Sequence, residues 1–410
     1  MAEPKVLIVG GGIGGLTSAL CLAKVGCKVS VFEQAPAFAE VGAGIQLSPN
    51  CTRVLHHLGL ETALRAKAFL PEGTQFRHWR SGKVIAESAL GDSVLERYGQ
   101  PYYHIHRGDL LRLLVEAVQQ SSRITLHTDA WVQEFVAIAD GVRLTLEDKV
   151  HQGDLLVGAD GIHSAVRAQL WGEQKPRFTG NVAWRALVPR KRLPQSLIRP
   201  MSTVWWGPGK HFVHYYVRSG DLVNCVCVVE KDGWEVESWT EHGEYSELKA
   251  DFAGWHGDIQ QLIDQADKDS LYKWALYDRP PMSQWGRGRV TLLGDACHPT
   301  LPFMAQGAAM AIEDAAVLAG CLRSGALIPT CIQRYEDLRR TRTAGIQNGS
   351  RRNAKVFHLS GIRAWLRNRA AGVARHHTMD ALFRYNALEV ASTQAESLRT
   401  VDQTQSRLTQ

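Results

Sequence analysis

Two side chains that can move a proton lie four residues apart in the run HFVHYYV at 211–217. The run is otherwise apolar and aromatic, which predicts a β-strand. Side chains alternate between the two faces of a strand, so His211 and Tyr215 would share one face with Val213. An imidazole beside a phenol can take and hold the proton of a bound hydroxyl group. The same residue types also pack in ordinary sheet cores, and the pattern alone leaves both interpretations open.

Glycines that follow a buried strand give a second chemical signal. Residues 6–9 are apolar and run into GGGIGG at 10–15, and a second apolar run at 29–32 ends on Glu33. Strand, glycine turn, helix and strand, with an acidic residue about twenty positions on, is the dinucleotide-binding pattern. The free N–H groups at the helix start would face a pyrophosphate, and Glu33 would accept hydrogen bonds from a ribose. The pattern does not distinguish FAD from NAD.

The glycines of this turn have separate reasons. Gly10 permits the tight turn, Gly12 lets the backbone approach the pyrophosphate, and Gly15 lets the helix pack closely on the sheet. We place Gly14, in the same turn, and Gln34, next to the acidic residue, in the same binding site.

Length and charge restrict the class of protein. A chain of 410 residues with 45% hydrophobic and 21% charged residues suits two interwoven globular domains. The net charge of +6 is modest and favours an anionic small molecule over nucleic acid. The first strand begins within five residues of the start, and no long apolar run follows, so we expect no signal peptide, no membrane span and a cytoplasmic location. The scattered cysteines and histidines lack metal-ligand spacing, so we expect no metal.

Two more strand-and-turn units follow much later, GADG at 158–161 and GD at 294–295. One parallel sheet is therefore expected from strands at 6–9, 28–33, 154–157 and 289–293. Between them, β-branched and aromatic runs from 180 to 278 predict a mainly antiparallel sheet with a helix near 246–267. Helices are expected over 307–322 and 331–356, before an arginine-rich tail with helical spacing.

Three motifs together resemble the class A flavoprotein aromatic monooxygenases, which share the fold of 4-hydroxybenzoate hydroxylase. They are the glycine turn with Glu33, the stretch GADGIHSAVR at 158–167, and GDACHP at 294–299. Within the family, the chain is most similar to the branch of salicylate hydroxylase, 3-hydroxybenzoate 6-hydroxylase and 6-hydroxynicotinate 3-monooxygenase. The stretches at 40–45, 106–110 and 304–308 carry that closer likeness.

The resemblance implies an α/β fold with an α+β insertion. A Rossmann-like FAD-binding domain would be interwoven with an antiparallel-sheet substrate domain and followed by C-terminal helices. On this basis the FAD-binding domain comprises 1–72, 101–178 and 285–357, the substrate domain comprises 73–100 and 179–284, and the helical tail is 358–410.

The resemblance also implies roles for cofactor-binding residues. Arg107 would lie along the FAD pyrophosphate or flavin linker, and Asp295 would accept from the ribityl hydroxyls. The helix that starts at Gly307 and Ala308 would direct N–H groups at the flavin pyrimidine ring. Asp160 would lie near the pyrophosphate and the passage of NADH or NADPH.

The implied reaction is hydroxylation of a hydroxylated aromatic carboxylate. The flavin is reduced by NADH or NADPH, reacts with O2 to a C4a-hydroperoxide, and transfers one oxygen atom to the ring. Residues of the branch at the same spacing make His211 the base or hydroxyl orienter and Tyr215 its companion. A homodimer fits this class of enzyme.

The substrate-contacting residues are predicted from weaker signals. Gln46, Arg185, Phe303 and Gln306 are placed at the substrate site, with Arg185 or Arg77 as partner of a carboxylate. The hydroxynicotinate enzymes carry histidines where Gln46 and Phe303 stand, which favours a benzenoid acid of the salicylate or 3-hydroxybenzoate type. A 6-hydroxynicotinate-type reaction on an N-heteroaromatic acid remains the alternative.

Other classes of protein explain less of the sequence. A simple NAD-dependent dehydrogenase leaves the motifs at 158–167 and 294–299 without a role. A flavin halogenase lacks its W-x-W-x-I-P signature here, and a sterol-type epoxidase lacks its apolar tail. An inactive flavin-binding or partner-docking protein stays open, as do the choice of NADH or NADPH, the ring position and loss of carbon dioxide.

Overall fold

The computed structural model describes residues 3–38, 43–147, 149–231, 233–234, 236, 241–371, 375–390 and 392. Part of the motif at 40–45 (residues 40–42) and most of the tail beyond 390 lie outside the described residues. The strands are β1 (Lys5–Val9), β2 (Lys28–Phe32), β3 (Gly44–Leu47), β4 (Gly73–His78), β5 (Val84–Ala89), β6 (Tyr103–His106), β7 (Ile124–His127), β8 (Val132–Ile138), β9 (Gly141–Leu146), β10 (Val150–Gly153), β11 (Leu155–Gly158), β12 (Arg177–Pro189), β13 (Met201–Gly207), β14 (Lys210–Val217), β15 (Leu222–Glu230), β16 (Tyr272–Asp278) and β17 (Val290–Leu292). The helices are α1 (Ile13–Lys24), α2 (Pro49–His57), α3 (Glu61–Lys67), α4 (Gly91–Tyr98), α5 (Arg107–Gln119), α6 (Ala165–Trp171), α7 (Tyr245–Asp251), α8 (Gly257–Asp264), α9 (Gly307–Leu322), α10 (Ile328–Phe357), α11 (Gly361–Ala370) and α12 (Arg375–Phe383).

A five-stranded parallel sheet unites segments that are far apart in the sequence. Its order is β17-β11-β1-β2-β7, and every neighbouring pair is parallel. The four predicted strands are confirmed, and β7 adds a fifth at the edge. The side chains of β11 and β17 are buried, as are most of those of β1 and β2, as expected for a parallel sheet covered on both faces; the edge strand β7 is only partly buried. The carboxyl ends of β1, β11 and β17 therefore lie side by side, and the three motif turns begin there.

A second sheet of seven strands has the order β16-β12-β15-β14-β13-β4-β5. It is antiparallel except for the parallel pair β13–β4, which confirms the prediction of a mainly antiparallel sheet. The strands from 73–89 join those from 177–278, so the chain enters this sheet twice. The domain boundaries assigned from the sequence stay predictions.

Two short helices cover one face of this sheet where one was predicted. The prediction of one continuous helix near 246–267 is wrong, because a break separates α7 from α8. This break contains Gly254 at φ +75°. A left-handed residue cannot continue an α-helix. Both helices pack on the sheet through Leu248, Phe252, Ile259 and Leu262.

The predicted helices over 307–322 and 331–356 are present as α9 and α10, and a buried ion network joins them. The guanidinium of Arg339 lies 2.6 Å from Glu313 Oε2 and 2.6 Å from Asp314 Oδ1. The Nε2 atom of His298 lies 2.5 Å from Asp314 Oδ2. Burial raises the pKa of both carboxyl groups, but the charges of Arg339 and its neighbours outweigh it and leave each pKa below its usual value. The network thus ties the turn at 294–299 to the helices behind it.

None of the helices within the described ranges combines the length and the apolar character needed to cross a membrane.

Candidate active site

A cavity of about 380 Å³ lies between the two sheets. One side is built by the turns that follow the parallel strands, and the other by one face of the antiparallel sheet. The predicted residues that line it are Gly12, Gly14, Gln46, Arg107, Arg185, His211, Tyr215, Asp295, Gly307 and Ala308. Residues from six separate parts of the sequence therefore meet at one place, and all three motifs contribute to it.

The glycine turn has the geometry expected of a phosphate-binding loop. A Cβ atom on Gly12 would meet nothing within 4 Å, and this residue faces the cavity. A Cβ on Gly15 would lie 2.0 Å from the carbonyl oxygen of Gly10, and one on Gly14 would lie 2.9 Å from Leu293 Cδ2. Gly10 itself has φ +102°. Two glycines thus allow close packing of α1, while Gly12 leaves room for a ligand.

Charged and dipolar groups surround the space above this turn. Arg107 is the first residue of α5, and Asp295 follows β17; both side chains reach the cavity. The Asp295 side chain is exposed to the cavity, yet desolvation by the surrounding protein raises the pKa of its carboxyl group, and the charges of His298 and Arg107 oppose that rise. The helix α9 begins at Gly307 without a side-chain cap or an acidic residue in its first turn. Its N–H groups are therefore available to a negatively charged ligand.

Four predicted cofactor residues do not line the cavity: Gly15, Glu33, Gln34 and Asp160. Glu33 accepts hydrogen bonds from the N–H groups of Gly11 at 2.7 Å and Ala35 at 2.9 Å, and so holds the glycine turn. Gln34 is exposed. Asp160 accepts from the Val166 N–H at 3.1 Å, burial raises its pKa, and its Oδ1 is a buried atom for which the described residues supply no hydrogen bond. Their contacts with a dinucleotide stay predictions.

One row of the antiparallel sheet supplies the opposite wall. Arg185 of β12 pairs in register with Val226 of β15, and Val226 pairs with Val213 of β14. His211 and Tyr215 lie two residues to either side of Val213, and all of these residues line the cavity. The other face of β14 points away, since Phe212 packs under α7. The predicted division of β14 into two faces is confirmed.

The imidazole of His211 and the phenol of Tyr215 are held in their neutral forms on this wall. Burial, together with the nearby His358, places the pKa of His211 well below its usual value. Burial also raises the pKa of the Tyr215 phenol, which the charge of Arg185 partly opposes. His211 is therefore a neutral imidazole at neutral pH, with a proton on only one of its two ring nitrogens. The guanidinium of Arg185 lies 3.9 Å from the centre of the Trp274 ring, which fixes its position beside the cavity.

The remaining substrate residues divide into wall and support. Gln46 lines the cavity, with its Oε1 accepting from the Tyr102 hydroxyl at 2.6 Å and its Nε2 donating to the Ser202 hydroxyl at 3.2 Å. Phe303 lies behind His211, with 5.1 Å between the ring centres. Gln306 and Arg77 point elsewhere.

The side chain of Gln306 is buried and bonded to Ser48 and Asn50, and that of Arg77 pairs with Asp258 at 3.2 Å. The structure therefore places these two outside the cavity, and it does not bring Arg77 to a bound carboxylate. Sequence reasoning missed Trp274 and His358, which no local motif distinguishes from packing residues.

Among the described residues, Cys297, His298 and Asp314 form the group whose ligand atoms lie close enough to hold a metal ion, within 4.8 Å of one another. Asp314 is already bonded to Arg339 and to the Gly294 N–H, and burial raises the pKa of the Cys297 thiol well above its usual value. A buried neutral thiol is a poor ligand, and the carboxylate charge is already balanced. That no metal takes part stays a prediction.

Comparison with known proteins identifies the family of this chain. Residues 3–382 match the model of a family described as an FAD binding domain. The chain is 41% identical to a 3-amino-4-hydroxybenzoate 2-monooxygenase of Streptomyces platensis, over 91% of this chain and 93% of that protein. The chain belongs to the class A flavin-dependent aromatic monooxygenases. It is thus an FAD-dependent enzyme that acts on a small aromatic substrate with O2, as the three motifs predicted.

Further relatives lie in the predicted branch. The chain is 38% identical to the 6-hydroxynicotinate 3-monooxygenase of Pseudomonas fluorescens, over 78% of this chain and 83% of that protein. It is 37% identical to the 3-hydroxybenzoate 6-hydroxylase of Polaromonas naphthalenivorans, over 90% and 91%. Sequence similarity alone does not separate these substrates.

Solved structures confirm the fold. Klebsiella pneumoniae HpxO, determined with FAD and uric acid, superposes with a TM-score of 0.79 at 27% identity over 96% of both chains. A salicylate hydroxylase in a substrate complex gives a TM-score of 0.80 at 24% identity, over 95% of this chain and 97% of that one. This chain therefore shares the α/β fold of these two solved structures, in which the parallel sheet is interwoven with an antiparallel one.

Proposed function

We propose that this monooxygenase uses NADH or NADPH to hydroxylate a benzenoid hydroxy acid of the salicylate or 3-hydroxybenzoate type. The observation that carries the proposal is the cavity wall formed by β12 and β14. It presents a neutral imidazole, a phenol and a guanidinium on one face of the sheet, above the dinucleotide-binding turns. A ring that carries one hydroxyl and one carboxylate matches this set of groups.

Several cavity residues fit FAD. Gly12 offers open space for the pyrophosphate, while Arg107 and the start of α9 offer positive charge and free N–H groups. Asp295 offers a carboxylate that can accept hydrogen bonds from the ribityl hydroxyls. Bound FAD supplies the oxygen chemistry, and the chain supplies binding, orientation and the proton acceptor.

His211 is the proposed base for the substrate hydroxyl. A phenolate ring donates electrons far more strongly than a phenol, so removal of this proton activates the ring toward an electrophilic oxygen. The imidazole is neutral and lines the cavity, and its Nδ1 is engaged with His358, which leaves Nε2 for the substrate. Tyr215 is proposed to donate its hydroxyl hydrogen to the same substrate oxygen and so to stabilise the phenolate.

Arg185 is the proposed partner of the carboxylate. A guanidinium can bind a carboxylate with two parallel hydrogen bonds, and its contact with Trp274 orients its plane. Arg77 is already paired with Asp258, so it offers less charge to a ligand.

The benzenoid ring is favoured over an N-heteroaromatic one by two residues. Both ends of the Gln46 amide are engaged by Tyr102 and Ser202, so it forms a neutral wall of the cavity. Phe303 adds an apolar ring behind His211. Neither supplies a titrating group for a ring nitrogen. The similarity to the Pseudomonas fluorescens 6-hydroxynicotinate enzyme keeps that reaction as the second candidate.

A substrate panel tests the proposal. The FAD-loaded enzyme is mixed with salicylate, 3-hydroxybenzoate, 3-amino-4-hydroxybenzoate or 6-hydroxynicotinate, and both nicotinamide oxidation and product mass are recorded. We expect a product 16 mass units heavier, or its decarboxylated counterpart, from a benzenoid acid. Turnover of 6-hydroxynicotinate alone contradicts the benzenoid assignment. Absence of product from every acid, with FAD bound, supports an inactive flavin-binding or partner-docking protein instead.

A matched pair of variants tests the base. His211→Gln should lower kcat by about 10²- to 10⁴-fold, the usual contribution of a general base, with a smaller change in KM. The control His214→Gln changes the imidazole on the opposite face of β14, which bonds to Trp205 at 3.0 Å. Equal losses of kcat in the two variants would contradict a chemical role for His211.

A further inference from the structure

A continuous chain of titrating groups runs from the cavity to the protein surface. His211 Nδ1 lies 2.8 Å from His358 Nε2, and His358 Nδ1 lies 2.9 Å from Glu230 Oε1. The side chain of His358 is 2% exposed, whereas that of Glu230 is 56% exposed. The three groups come from the start of β14, the residue after α10 and the end of β15. One end of the chain meets the cavity and the other meets water.

The hydrogen-bond directions along this chain are fixed from its outer end. An ionised carboxylate can only accept, so His358 must carry its proton on Nδ1 to donate to Glu230. The Nε2 of His358 is then an acceptor, and His211 must carry its proton on Nδ1 to donate to it. The Nε2 of His211 is left without a proton. The surface carboxylate thereby sets the tautomer that makes His211 a base toward the cavity.

We propose that His358 and Glu230 form a proton exit path for the substrate hydroxyl, and that Glu230 also fixes the tautomer of His211. The proposal rests on the proposed role of His211. The substrate O–H bond breaks as its proton moves to His211 Nε2, while the proton on His211 Nδ1 moves to His358 Nε2. The proton on His358 Nδ1 moves to Glu230, which releases it to water. The reverse sequence returns a proton to the product hydroxyl and restores both tautomers.

The surroundings support a path that is closed except at its ends. The rings of Phe303 and Phe357 lie 5.1 and 5.4 Å from that of His211, and they shield it from the outside. The backbone of Gly209 donates to the carbonyl of His358 at 3.1 Å and accepts from the N–H of Glu230 at 2.8 Å. One turn thus holds the two outer groups in register.

The pKa values along the path are compatible with transfer. Burial lowers the pKa of His358, and the hydrogen bond and charge of Glu230 oppose that effect. The remaining charge that acts on His358 is the guanidinium of Arg367 on α11, which lowers its pKa further. Both imidazoles are therefore neutral at rest and can pass a proton without holding it.

Proton release on ligand binding tests the path without turnover. Oxidised, FAD-loaded enzyme is mixed rapidly with 3-hydroxybenzoate in weak buffer that contains a pH indicator, with no NADH or NADPH present. Glu230→Gln and His358→Gln should slow the released-proton signal by about tenfold or more. Glu87→Gln changes another exposed carboxylate of the same sheet, paired with Arg199, and should leave the rate unchanged. Millimolar imidazole should restore part of the rate in Glu230→Gln.

A second ligand separates transport from structure. Benzoate lacks the hydroxyl, so its Kd should be the same in the wild type and in Glu230→Gln. Proton release at the wild-type rate in both Glu230→Gln and His358→Gln overturns the proposal. A loss of benzoate binding in Glu230→Gln that equals the loss of 3-hydroxybenzoate binding also overturns it.

The tautomers can be read without any substrate, which separates this proposal from the proposed function. Nitrogen-15 spectra of labelled histidine should show protonated Nδ1 and unprotonated Nε2 for His211 in the wild type. Glu230→Gln should raise the share of the other tautomer, because an amide can also donate to His358. An Nε2-protonated His211 in the wild type overturns the path even if the substrate panel succeeds. A failed panel with the expected tautomers contradicts only the proposed function.

Discussion

Gly12 separates the stability of the chain from its affinity for FAD. This residue precedes α1 with φ −73°, which any residue can adopt, and a Cβ there meets no protein atom within 4 Å. Gly12→Ala should therefore leave the free energy of unfolding of the FAD-free chain within about 0.5 kcal/mol of wild type. Alanine caps the helix less well than glycine, which lowers the free energy of unfolding. Alanine also lowers the entropy of the unfolded chain, which raises the free energy of unfolding by a similar amount.

The same methyl group should weaken the binding of FAD. It lies where the pyrophosphate is proposed to approach the backbone, so at least one charge-assisted hydrogen bond should be lost. Such a bond contributes about 1.5–3 kcal/mol, which corresponds to a Kd about 10- to 150-fold higher. Quenching of flavin fluorescence on titration into the apoprotein measures this change.

Gly15→Ala is the contrasting variant. Its Cβ would lie 2.0 Å from the Gly10 carbonyl oxygen, so the turn must move. Overpacking of this kind costs about 1–3 kcal/mol, and urea unfolding of the FAD-free chain should show it directly. Wild-type FAD affinity in Gly12→Ala would refute the role of Gly12 in FAD binding. Wild-type stability in Gly15→Ala would refute the role of Gly15 in the packing of the turn.

Three further predictions concern buried and cavity charges. Arg339→Met should lower the free energy of unfolding by about 3–5 kcal/mol in urea, because it removes the buried guanidinium that Glu313 and Asp314 share. The lowered pKa values of these two carboxyls add stability that is complete above their unfolded values of about 4 and is lost as the pH falls through the folded values. The urea midpoint should therefore be flat from pH 7 to 5 and fall below pH 4; a flat profile down to pH 3 would contradict this. Arg185→Gln should raise KM for a hydroxylated aromatic acid about tenfold or more but leave KM for the corresponding phenol unchanged, and equal effects on both would exclude the carboxylate contact.

Most of the fold could be predicted from local sequence patterns. The first strand–turn–helix–strand unit depends on neighbours within about thirty residues, and the glycine spacing and apolar runs specify it completely. The same holds for α9, whose predicted bounds at 307 and 322 are those observed. The break between α7 and α8 was missed because it depends on the left-handed conformation of Gly254, which the helical spacing of the apolar residues does not reveal.

Site residues could be predicted where a local sequence motif specifies them. Residues that reach the site from distant segments of the chain could not. His211 and Tyr215 were predicted because strand alternation puts them on one face and the related branch has the same residues at this spacing. His358 was not, since it is 147 residues away and meets His211 only because α10 ends against β14. Gln306 illustrates the opposite error: it lies beside cavity residues in the sequence, but its buried amide is bonded to Ser48 and Asn50.

The origin of the oxygen atom in the product tests the central claim most directly. The purified FAD-loaded enzyme is supplied with 3-hydroxybenzoate, NADH or NADPH and ¹⁸O₂, and the product is analysed by mass spectrometry. If the cavity between the two sheets holds FAD beside an aromatic acid, each product molecule should contain one ¹⁸O atom. Oxidation of the nicotinamide with only hydrogen peroxide formed, or a product whose new oxygen comes from water, would contradict the account.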